Sequence, residues 1–263
     1  MKPIVFKPFL LLFGLILVVS LACLPTTSTG GPTQPPVLPP PVEPPPVQPP
    51  VVVGGGPTPT QGSSIEPSAV PPAGGQFFTE EFDGDTSNWS QKIELNAPEG
   101  NTSQAKISFE DGKAIFDFGK YLIGYLFYEP YEYANVRIDI RVDNRGTNVN
   151  NVLLVCRASD EGHYLINIAN SGLFAIYAYD AFNKNYARIA DGGSNKIKSG
   201  KDINDYAMVC NDKTLILYIN GNETRRYTDN KYVLREGKIG VGVASENLIP
   251  IRLEFEYVKI SAP

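Results

Sequence analysis

One histidine, one tryptophan, two methionines and three cysteines are all that 263 residues hold of those types. Each shortage closes a route. A Ser-His-Asp triad could use no base but His163, which precedes "YLINI" at an expected strand start. A two-cysteine metal site has no other imidazole to recruit. H-E-x-x-H, G-x-S-x-G, C-x-x-C and a phosphate-cradling glycine loop are absent. One-sided charge is missing too. The chain carries 23 basic and 28 acidic residues; 21 and 26 of them fall in residues 76–263, with no basic block. No nucleic-acid partner is expected, because phosphate neutralisation needs a clustered positive surface. The apolar run "FLLLFGLILVV", residues 9–19, has 11 residues, against about 20 for a membrane span.

Lys2 and Lys7 precede that run, and Ser20, Leu21 and Ala22 follow it. A charged start, a short apolar centre and small residues before a cut make a signal peptide over residues 1–22. "SLAC" resembles the lipobox of bacterial lipoproteins, in which the cysteine becomes the first mature residue and carries lipid. Cys23 is then the lipidation site, and the membrane is a partner through that anchor. The pattern departs in one place: Ser20 stands where Leu is usual. Two other readings stay open. Ordinary cleavage after Ala22 would leave an exposed thiol, open to oxidation, and an uncleaved leader would anchor the chain directly. The expected location is the cell envelope, outside the cytoplasm.

Residues 25–75 hold 17 of the 23 prolines. Such a segment cannot bury enough apolar surface to offset its ordering entropy. "PVLPPPVEPPPVQPP" favours extended polyproline II. Residues 23–75 read as a disordered, lipid-anchored proline-rich linker, able to stand a domain up to ~150 Å off a membrane. A ligand for a proline-binding domain is the rival reading, but those partners are mostly intracellular.

Residues 76–263 show a period of two. "ANVRIDIRVD" alternates Val136, Ile138, Ile140 and Val142 with charge. "KISFEDGKAIFDFG" is a hairpin around Asp111-Gly112. "HYLINIANSGLFAIYAYD" turns at Asn170-Ser171-Gly172, and "DYAMVCNDKTLILYINGN" at Asn211-Asp212-Lys213. Roughly 13 strands and no helix indicate an all-β sandwich or barrel. Outside the cytoplasm thiols oxidise. Cys156 and Cys210, 54 positions apart and near strand ends, are therefore expected to join neighbouring strands as a disulfide. Closing that loop would stabilise by roughly 4 kcal/mol in the chain-entropy model.

"NDYAMVCNDKTLILYINGN" followed by "GKIGVG" is similar to the strand–turn–strand of laminin-G-like and concanavalin A-like domains. "FFTEEFDGDTSNWS" resembles the opening of 3-keto-disaccharide hydrolase-type domains, and "FEYVKI" looks like their closing strand. The resemblance covers residues 76–263. It implies a two-sheet antiparallel jelly-roll sandwich of a bacterial surface protein. Such jelly rolls host lectins, glucanases and inert modules alike.

Sugar hydrolysis usually needs two carboxylates flanking the scissile bond. The laminarinase-like branch supplies them as E-x-D-x-x-E on one strand, and that pattern is absent. "EFEY" offers Glu254 and Glu256 without a third acid. "EEFDGD" gathers Glu80, Glu81, Asp83 and Asp85 at the domain's start. It reads as a solvated turn, with Asp83 and Asp85 as the candidates for a structural calcium; no other cofactor is expected. Trp89 reads as core. All 14 tyrosines follow residue 120. Tyrosine has a flat apolar face and a polar tip, which suits stacking on a sugar. Tyr177 and Tyr179 share one strand face. With Arg157 and Tyr164 from neighbouring strands, and with Tyr121 and Tyr125, they form the candidate glycan-binding set. The alternative is that tyrosine simply favours strands. The leading expectation is a surface-tethered, non-catalytic, lectin-like monomer that binds polysaccharide. A glycoside-active enzyme of the 3-keto-disaccharide hydrolase type and a structural module binding an envelope protein are the alternatives.

Overall fold

A computed structural model describes residues 76–148 and 150–263. The expected signal peptide, Cys23 and the proline-rich linker lie outside the described residues. Fifteen strands run β1 (Phe78–Glu80), β2 (Trp89–Leu95), β3 (Ala105–Glu110), β4 (Lys113–Phe118) and β5 (Leu122–Tyr128). Next come β6 (Val136–Asn144), β7 (Asn150–Ser159), β8 (Gly162–Ala169), β9 (Leu173–Asp180) and β10 (Asn185–Gly193). The chain ends with β11 (Ile203–Asn211), β12 (Thr214–Ile219), β13 (Asn222–Thr228), β14 (Lys238–Ser245) and β15 (Ile251–Ser261). Among the described residues the only helical piece is a 3-10 turn, Thr102–Gln104.

Every strand pairing is antiparallel, in two sheets. One sheet has eight strands in the order β13-β12-β11-β6-β15-β4-β3, with β1 added on β15. The other has seven, β10-β9-β8-β7-β14-β5-β2. Alternation explains the sandwich. Val136, Ile138, Ile140 and Val142 of β6 turn inward and meet Tyr164, Ile166 and Ile168 of β8 in one core. Each such aliphatic side chain contributes about 1.5–3 kcal/mol by leaving water. The Asp111-Gly112 and Asn220-Gly221 turns have positive φ at both positions, the geometry that joins twisted strands through two residues. Trp89 is core, as expected. It packs on Phe82 and Tyr128 and donates its Nε1–H to Glu80 Oε2 at 3.1 Å.

The Cys156–Cys210 disulfide is present, with Cα atoms 6.7 Å apart. It departs from expectation in one respect. It joins β7 to β11, which lie in opposite sheets, not neighbouring strands of one sheet. Both cysteines point inward and are fully buried, so the bond crosses the core.

Outward residues of the eight-stranded sheet form ion pairs. Glu254 accepts from Lys113 Nζ at 2.9 Å and Arg252 Nε at 3.1 Å, and Arg145 lies 3.8 Å away. Burial raises the Glu254 pKa, but the Lys113 and Arg252 hydrogen bonds outweigh it and hold the carboxyl below its usual range. Glu256 pairs with Arg141 at 3.1 Å. Both acids of "EFEY" are thus committed to this face.

Candidate functional site

The outward face of the seven-stranded sheet is built differently. Tyr125, Leu153, Val155, Leu165 and Ala244 form a second buried apolar cluster there. Two glycines make its floor. A Cβ on Gly242 would sit 2.8 Å from Tyr125 Cδ1 and 2.4 Å from the Gly124 carbonyl. A Cβ on Gly240 would sit 2.7 Å from the Phe127 ring. The "GVG" of β14 therefore lets two aromatic rings of β5 lie across the neighbouring strand.

The far rim comes from β8, β9 and β10. His163 and Tyr186 both pair with Tyr179 across the ladder, so all three share one face. The Tyr186 hydroxyl lies 3.1 Å from His163 Nε2. Ring centroids are 4.6 Å apart for Tyr179–Tyr186 and 5.0 Å for His163–Tyr179. Tyr177 meets Tyr186 edge-on behind them, with Arg188 over its ring. The Tyr186 phenol also comes close enough to the Tyr125 phenol to perturb it, and both line one cavity. The two strands are five places apart in the sheet, roughly 24 Å if it were flat. Two tyrosines cannot bridge that distance on a flat sheet, so the sheet curls into a trough.

Burial sets the chemistry here. It pushes the Tyr125 phenol up, helped by Tyr186 and Glu94. Burial pushes Tyr186 up to about 12. Burial, then Lys92, lowers His163 to about 4, with Glu94 opposing. His163 is thus an uncharged partner for the Tyr186 hydroxyl at neutral pH.

A cavity of about 1020 Å³ fills the trough from this aromatic wall to the loops beyond the strand ends. Glu94 pairs with Lys92 at 2.7 Å, and Glu129 pairs with Lys238. The Lys238 and Ser90 hydrogen bonds hold Glu129 below its usual range, which unsuits it as a general acid. Glu132, Asp160, Glu161, Glu236 and Arg235 also line the cavity and have no ion-pair partner among the described residues. The middle strands turn Asn151, Leu153 and Val155 of β7 and Gly240, Gly242 and Ala244 of β14 to this outward face. None of these is an acid. The arrangement can stack on a ring and exchange hydrogen bonds with hydroxyls.

Of the sequence-derived candidates, Tyr125 and Tyr179 line the cavity, and Tyr177 packs beside it. Arg157 and Tyr164 need correction as trough residues: they are 3% and 1% exposed. Register is the reason, since Tyr164 pairs with the inward Ala178 while His163 pairs with Tyr179. A bulge at Arg157, φ +55°, turns its guanidinium away from the trough. Arg157 donates to the Ala134 carbonyl at 2.9 and 2.6 Å and to the Leu234 carbonyl at 2.8 Å. Tyr164 donates to Asp229, which also accepts the backbone N–H groups of Lys231, Tyr232 and Val233. From behind, these residues pin the loops that carry Glu132, Arg235 and Glu236. They also line a separate cavity of about 230 Å³.

Tyr121 sits in the β4–β5 turn at the other end of β5, its N–H donated to Glu246. Asp83 and Asp85 gather no third acid; among the described residues no group of three or more His, Cys, Asp or Glu could hold a metal. Asp85 instead accepts the Ser87 N–H and hydroxyl. Sequence reasoning missed Tyr186, Phe127 and His163 as site residues. The one available signal was the offset: His163 and Tyr186 fall on the Tyr179 face once the two hairpin registers are set.

Solved structures share this architecture. One described as a native glycosidic hydrolase is 16% identical, covers 71% of this chain and 97% of its own, and has a TM-score of 0.54. A beta-glucanase from Bacillus licheniformis is 13% identical, covers 72% and 99%, and scores 0.54. The carbohydrate binding module CBM66 from Bacillus subtilis is 11% identical, covers 66% and 96%, and scores 0.50. No family model matches the chain, and no curated protein matches it. At these identities the likeness is one of fold, and that fold is the concanavalin A-like jelly roll.

Proposed function

We propose that the protein is a surface-tethered, non-catalytic carbohydrate-binding module. One observation carries this reading: an aromatic trough of about 1020 Å³ on the curved sheet, with tyrosine faces and hydroxyls converging where a sugar ring would stack. The solved neighbours include one described as a carbohydrate binding module and one described as a beta-glucanase, which supports a glycan as the partner. The acids that line the cavity outnumber the bases, so the glycan is neutral rather than anionic. A broad glycan array probed with the full chain tests this. Neutral glycans should bind, with loss in Tyr179→Ala; silence across the array would sink the reading.

A second reading is a glycoside-active hydrolase, favoured by the unpaired Glu132, Asp160, Glu161 and Glu236 at the mouth. Turnover of 3-keto-glycosides, abolished by a single change at one of these acids, would establish it. The anchor belongs to the same proposal. The leader exports the chain, and Cys23 carries lipid. The Cys156–Cys210 disulfide supports export, since such bonds persist in oxidising compartments. Metabolic labelling with a lipid precursor checks this. Equal labelling of wild type and Cys23→Ser would refute it.

A further inference from the structure

We propose that the trough is a blind pocket that takes the end of a glycan chain rather than an internal stretch; this rests on the glycan-binding reading above. The closed end is built from two tyrosines. Tyr125 faces outward from β5 yet is only 4% exposed. An outward side chain that is buried must have a cover, and Tyr186 of β10, which lines the same cavity and approaches the Tyr125 phenol, supplies it from across the curled sheet. Tyr186 is held in that position. His163 contacts its hydroxyl at 3.1 Å, and Tyr179 packs on its ring at 4.6 Å.

Beyond this bar the face is filled. Leu153, Leu165 and Ala244 are buried there, and none of them lines the cavity. The opposite end is open. Glu132, Asp160 and Glu236 border it from loops beyond the ends of the strands. A polymer bound along its length needs an exit at both ends of the groove, and this groove has one. A chain entering from the loops stops against Tyr186 and Tyr179, whose rings offer a stacking face and whose hydroxyls offer hydrogen bonds to the terminal sugar.

Binding sites counted per gram of polysaccharide separate the two modes. The full chain is titrated onto amylose, curdlan, mixed-linkage β-glucan and inulin. Each is used intact and after partial hydrolysis that multiplies its chain ends about tenfold. For whichever polymer binds, capacity per gram should rise by about tenfold, because ends and not length set the number of sites. Unchanged capacity overturns the blind pocket and leaves glycan binding standing. No binding to these polymers or to a broad array overturns the glycan reading, and the blind pocket with it.

A variant tests the bar itself. Tyr186 is 44% exposed, so Tyr186→Ala should fold. It should open the closed end, let intact polymer bind along its length and erase the gain on hydrolysis. If the gain persists at full size, Tyr186 is not the stop and the assignment fails.

Discussion

The two outer faces of this sandwich follow the same alternation rule and end with opposite surfaces. On the eight-stranded sheet, outward positions carry Arg137, Asp139, Arg141, Glu256, Arg252 and Glu254, which neutralise one another in pairs. On the seven-stranded sheet, outward positions carry Tyr125, Phe127, Leu165 and Tyr177, which pack together. The first face satisfies itself electrostatically. The second buries its aromatics only by curling, and the curl creates the trough. Glycine makes the difference physical: Gly240 and Gly242 remove the side chains that would hold the rings upright.

Four perturbations would break or sharpen that contrast. Arg157→Met should have the largest effect. It leaves the buried Leu234 carbonyl and the more exposed Ala134 carbonyl without a donor, for roughly 3 kcal/mol of lost stability. It should also weaken glycan binding, because the mouth loops lose their clamp. Chemical denaturation and binding isotherms read the two effects. Gly242→Ala follows, at roughly 2–3 kcal/mol, since the new methyl meets a backbone carbonyl and the Tyr125 ring. Its binding should fall with the displaced ring.

The third is a pH effect at His163. Its pKa is lowered from 6.5 to about 4. Above pH 6.5 the ring is neutral in folded and unfolded chains and contributes no pH dependence. Between pH 6.5 and 4 the unfolded chain takes up a proton that the folded one refuses, so stability falls across that window. His163→Gln should flatten that part of the stability curve relative to wild type. The smallest is Glu254→Gln on the other face. It should cost about 1 kcal/mol at neutral pH, and less below the carboxylate range, because the depressed Glu254 pKa contributes stability only while the group is ionised. Glycan binding should not change. Altered binding in this variant would mean that the two faces are coupled.

Much of the fold was legible because each residue type voted locally. Val136, Ile138, Ile140 and Val142 declared an inward stripe, and Asp111-Gly112 declared a turn. The site was less legible because it depends on register and curvature, which are relations between strands. Tyr177 and Tyr179 could be placed on one face from their spacing alone. Whether Tyr164 or His163 joined them turned on a one-residue offset across β8–β9. The bulge at Arg157 left no signal in "VCRAS". Tyr186 lies in "NYARIADGG", whose polar and small residues conceal a strand. The cysteine pair could be read from its compartment, but the crossing between sheets needed the inward direction of both side chains.

That crossing also governs what a protease could do. Phe182, at the tip of the β9–β10 hairpin, is 94% exposed, and such tips are preferred cleavage sites. A cut there falls inside the loop closed by Cys156–Cys210. The two fragments would migrate as one species until a reductant was added. The nicked molecule would keep β10 and its Tyr186 covalently attached to the strands they cover.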